Sequence, residues 1–106
     1  MAILFNAIPI SSSSTPSPVI LRVTTTASIA SNVDIAFCNT DSGGYTVTLP
    51  AGSEGDTMRV INSGASGHQL LVAPNGADDL LGNNAAFSLF DGEALQLTYN
   101  TTDGWY

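Results

Sequence analysis

The chain contains no lysine, and its only cations, Arg22 and Arg59, stand against nine carboxylates for a formal net charge of -7. A molecule of that sign repels a phosphate backbone and has no counterion-releasing patch, which excludes nucleic acid as an expected partner. Charged residues make up only 10% of the sequence, so the polar positions fall to Ser, Thr, Asn and Gly, a composition of strands and turns rather than helices. The single cysteine, Cys38, excludes an intrachain disulfide and any multi-cysteine zinc site. Stability then has to come from packing, from assembly, or from both. The apolar stretch Ile3-Leu4-Phe5-Asn6-Ala7-Ile8-Pro9-Ile10 lacks a basic flank and is interrupted by Asn6 and Pro9. It falls well short of the roughly 20 residues that cross a bilayer, so no membrane partner is expected.

Two textures meet near Val19. Residues 1–18 hold no glycine and no charged side chain, and run from the apolar decamer into Ser11-Ser12-Ser13-Ser14-Thr15-Pro16-Ser17-Pro18. Such a Ser/Pro segment disfavours a helix and reads as a linker. The expected organisation is an N-terminal arm with its linker over 1–18 and one β domain over 19–106. A first strand at Ile3–Ile10 is the alternative, and the linker favours the arm. An apolar arm needs a partner to cover it, for instance as a strand added to a sheet edge. Ile3, Leu4, Phe5, Ile8 and Ile10 are therefore the candidate partner-binding residues.

From Val19 onward, short runs rich in Val, Ile, Thr, Leu and aromatic residues alternate with Gly, Asn and Asp clusters. Tyr45-Thr46-Val47-Thr48-Leu49 and Glu93-Ala94-Leu95-Gln96-Leu97-Thr98-Tyr99 alternate strictly, as half-buried antiparallel strands do. Further runs lie at 19–26, 32–37, 56–62, 68–73 and 86–90, giving seven or eight strands. The Gly52–Gly55, Gly64–Gly67 and Asp91-Gly92 segments read as hairpin turns. The fold class expected is all-β, an antiparallel β-sandwich or jelly-roll-like domain.

Candidate chemistry is sparse. His68 could in principle pair with a serine or with Cys38, yet no nucleophile-elbow or cysteine-protease signature accompanies it. It reads as a polar residue at a strand start, and Cys38 as a small buried hydrophobe. Asp78-Asp79 with Asn83-Asn84 lacks the EF-hand spacing that calcium would need. Paired acids for glycoside hydrolysis leave no sequential signature, and the glycine-rich segments lack a Walker lysine. Asn100-Thr101-Thr102 matches a glycosylation sequon without a secretory context. No catalytic residue, metal ligand or cofactor is expected.

The order of features from Tyr45 to Tyr106 is more specific than its parts. It consists of Tyr45-Thr46-Val47-Thr48-Leu49-Pro50, Gly55 before Met58-Arg59-Val60-Ile61-Asn62, and Leu70-Leu71-Val72-Ala73-Pro74. Asp79-Leu80-Leu81-Gly82, Gly92-Glu93-Ala94-Leu95-Gln96-Leu97-Thr98-Tyr99 and Gly104-Trp105-Tyr106 complete it. This order resembles a β-module of bacteriophage structural proteins, found in tail fibres and in capsid cement or decoration proteins. The resemblance implies a virion role, often as a homotrimer, without enzymatic activity. A chain without a long shaft-forming repeat favours a cement protein on the outer surface of the capsid, with the major capsid protein as partner. A tail-fibre or carbohydrate-binding module is the alternative. Trp105 is expected to pack as a terminal anchor.

Overall fold

The computed structural model describes residues 17–106, and the candidate arm residues Ile3, Leu4, Phe5, Ile8 and Ile10 lie outside them. Among the described residues the β-branched and aromatic runs form nine strands and no helix. These are β1 (Ile20–Val23), β2 (Ala27–Ser28), β3 (Ile35–Cys38), β4 (Tyr45–Thr48) and β5 (Thr57–Asn62). Then come β6 (Leu70–Ala73), β7 (Phe87–Leu89), β8 (Ala94–Asn100) and β9 (Gly104–Trp105).

The strands sort into a five-stranded sheet, β9-β8-β5-β3-β1, and a four-stranded sheet, β2-β4-β6-β7. From β1 to β6 the chain crosses between the sheets after every strand. It therefore winds as a coil, and each turn lays one new strand in parallel on each sheet. After β6 it turns back: β7 runs antiparallel to β6, β8 antiparallel to β5, and β9 returns along β8.

The all-β expectation is met, and the strands form two mixed sheets rather than the wholly antiparallel ones expected. Four of the seven strand pairings among the described residues are parallel. The reason lies in the connections. The segments containing Gly52 and Gly55, Gly64 and Gly67, and Asp91-Gly92 each join strands of opposite sheets, so they are arches over the core rather than hairpins. The turn ahead of Gly104 does close a hairpin, with Gly104 opposite Asn100.

Both sheets contribute to one buried cluster, including Ala36, Cys38, Met58, Val60 and Leu97 from one and Val47, Leu70, Val72 and Leu89 from the other. The register places like with like: Leu21, Ala36, Val60 and Leu95 form one inward row, and Val47 sits beside Val72. Trp105 is 1% exposed, and its indole Nε1 donates to the Pro50 carbonyl at 3.3 Å. Its ring meets Tyr99 edge-on, with centroids 5.2 Å apart. Gly104, just before it, has φ +87°, and a Cβ there would stand 2.5 Å from the Asp79 carbonyl oxygen. Only glycine fits that position.

Candidate functional site

The residues with potential chemistry are occupied with holding the arches. Asn62 ends β5 with its side chain buried, and all four of its hydrogen-bonding positions are used. Nδ2 donates to the carbonyls of His68 (3.1 Å) and Leu89 (3.0 Å), while Oδ1 accepts from the Thr40 hydroxyl (2.8 Å) and the Gly64 N–H (3.0 Å). His68 Nδ1 lies 2.7 Å from the Thr40 carbonyl, an acceptor, which fixes the imidazole proton on Nδ1. Asp41 accepts from the Ala65 N–H (2.7 Å) and the Ser66 hydroxyl (3.0 Å), and Asp91 accepts from the Gly67 N–H (2.8 Å). These bonds hold the carboxyl of Asp41 below the ordinary carboxylate range.

Ser66 thus bonds an aspartate, and His68 bonds a backbone carbonyl. The two are not linked as a nucleophile and its base would be. Cys38 is buried on β3, as its sequence context suggested, and burial pushes its thiol up to about 11. Asp78 and Asp79 lie in a loop stapled by Asn84, whose Nδ2 donates to the carbonyls of Gly76 (2.8 Å) and Asp78 (2.6 Å). Among the described residues no group of three or more His, Cys, Asp or Glu is placed to hold a metal ion. Asn100, at the sequon, caps its own turn by accepting from the N–H groups of Thr102 and Asp103.

Two surfaces stand out instead. One is a groove of about 550 Å3 lined by Phe87, Leu89, Phe90, Glu93, Ala94 and Leu95. Phe87 is 42% and Phe90 54% exposed, a large apolar area left in water. Among the described residues β7 is the end strand of its sheet, and β9 with Tyr106 covers β8 only from Thr98 to Asn100. Two strand edges therefore flank an apolar trough.

The other is the outer face of the five-stranded sheet. The register aligns Arg22, Phe37, Ile61 and Ala94 in one outward row, and Ile20, Ile35, Arg59 and Gln96 in the next. Both cations of the chain lie on this face. The Arg22 guanidinium sits over the Phe37 ring, 5.8 Å from its centroid, beside a recess of about 400 Å3. The four-stranded sheet differs, turning mainly Ser28, Thr46, Thr48 and Ser88 outward.

Neither surface was anticipated from sequence. A signal existed: Ile35-Ala36-Phe37-Cys38 is apolar at four successive positions, which supplies both faces of a strand rather than one. No protein-family model matches the chain, and no curated protein matches it either.

Proposed function

We propose that this is a structural virion protein, a capsid cement or decoration protein that bridges neighbouring major capsid subunits on the outer surface of the head as a homotrimer. The observation that carries the reading is the groove at Phe87 and Phe90 between two strand edges. An extended apolar segment satisfies such a site twice over, with main-chain hydrogen bonds to an edge and side chains in the trough. The chain's own apolar residues Ile3, Leu4, Phe5, Ile8 and Ile10 are a segment of that kind. A protein that both takes and offers such segments clamps neighbours together, and several clamps per trimer add by avidity. The resemblance of the Tyr45–Tyr106 pattern to phage cement modules supports the same reading.

The test is removal of residues 1–18 in the full assembly. Particles carrying the truncated protein are expected to lose it on sedimentation and to lose the added heat resistance of the decorated head. Unchanged binding and unchanged heat resistance reject the arm as clamp. Labelled protein found over the tail instead of the head rejects the cement role in favour of a tail-fibre module.

A further inference from the structure

The distribution of charge on the domain is uneven in a way that the net value conceals. The outer face of the five-stranded sheet carries both arginines among Ile20, Ile35, Phe37 and Ile61, and none of the outward positions on its paired strands is a carboxylate. The carboxylates sit in the arches and turns. Five of them, Glu54, Asp56, Asp78, Asp79 and Asp103, gather at the end of the molecule where β8 turns into β9. Glu54 accepts from the Thr101 N–H at 2.9 Å, the Gly55 N–H reaches the Tyr99 carbonyl at 2.9 Å, and the Asp79 carbonyl accepts from the Trp105 N–H at 3.0 Å.

We propose that this basic and apolar sheet face is the interface by which one copy of the chain binds the acidic β8–β9 end of a second copy. Charge decides the occupant. A face-to-face pair leaves both arginines without an opposite charge, whereas the acidic end of a neighbour supplies it. A contact between two different patches is heterologous, and repetition closes it into a ring or continues it as a filament. The apolar residues supply the burial and the arginines the register, since a guanidinium takes a carboxylate in a fixed two-pronged geometry. The inference deepens the trimer in the proposed function by naming its contact, yet it stands or falls in solution without a capsid.

Sedimentation equilibrium of the full-length chain gives the test. Wild type is expected at a multiple of the 10.9 kDa chain mass, falling toward monomer as salt shortens the Debye length from about 10 Å to about 3 Å. The double variant R22E/R59E should be monomeric, and so should D79R/D103R, while the conservative R22K/R59K keeps part of the association. The quadruple variant R22E/R59E/D79R/D103R should recover it, which separates lost attraction from lost folding. A monomeric wild type, or an unchanged mass in R22E/R59E with native circular dichroism, overturns the interface. Association lost in R22E/R59E but unaffected in D79R/D103R overturns the acidic end as its partner. Failure of the arm-removal experiment with these masses as expected leaves the interface standing and rejects only the arm as clamp, and label over the tail rejects only the cement role.

Discussion

The side-chain amide of Asn62 donates to the carbonyl of His68 at 3.1 Å, so the residue that ends β5 also holds the far side of the arch leading to β6. The same amide reaches the Leu89 carbonyl, and its oxygen takes the Thr40 hydroxyl. Four chain segments meet on one buried polar group.

Replacing Asn62 by Leu is expected to destabilise the protein by about 3 kcal/mol or more, since a buried N–H and two carbonyls lose their partner at once. Urea denaturation checks it. Thr40→Val should cost less, about 1 kcal/mol, because Asn62 Oδ1 keeps the Gly64 N–H.

Gly104→Ala and Gly92→Ala separate two kinds of glycine requirement. Both positions have positive φ, but a Cβ at Gly92 meets nothing within 4 Å, whereas at Gly104 it runs into the Asp79 carbonyl. Gly92→Ala should cost about 1 kcal/mol of backbone strain, and Gly104→Ala clearly more, with a shift in Trp105 fluorescence on the neighbouring residue.

Burial raises the thiol of Cys38 from 9.0 to about 11 and the phenol of Tyr45 from 10.0 to about 12. Both ionise more readily in the unfolded chain. Stability from these groups is thus complete below pH 9 and is lost as pH climbs through the folded values. Denaturation midpoints should fall across that alkaline window, less steeply in Cys38→Ala. A disulfide reagent should label Cys38 only at the rate of unfolding.

Asp41 behaves oppositely. Its carboxyl is held below the usual 3.8, chiefly by the Ala65 N–H and then by the Ser66 hydroxyl. Its stabilisation is present above the unfolded value and disappears as pH falls through the folded one. Asp41→Asn should flatten the acid limb of a stability profile measured below about pH 4.

Sequence reading recovers what depends on a strand alone. Leu95, Leu97 and Tyr99 face inward as their alternation requires, and Trp105 is the buried anchor expected of it. What escapes is which strand lies next to which. Alternation assigns a face, and Asp91-Gly92 looks the same whether it folds β8 back beside β7 or throws it across to the other sheet. The two-residue strands β2 and β9 are too short to carry a pattern. His68 and Cys38 were legible as structural residues because no partner pattern surrounded them. The charged outer face was not, since it exists only when Arg22 and Arg59, far apart in sequence, are brought into neighbouring rows of one face by β3.

The winding of the chain also sets the order in which it can form. Ile20 waits for Ile35 and Tyr45 for Leu70, separations of 15 and 25 residues, so among the described residues neither sheet begins with a local hairpin. Loop closure has to precede reward at every turn of the coil, and such high contact order predicts slow folding. Among the described residues the one strand pairing closed by a short turn, β8 with β9, comes last in chain order. During synthesis the earlier strands emerge with their edges open, and the coil is sealed only when Trp105 arrives.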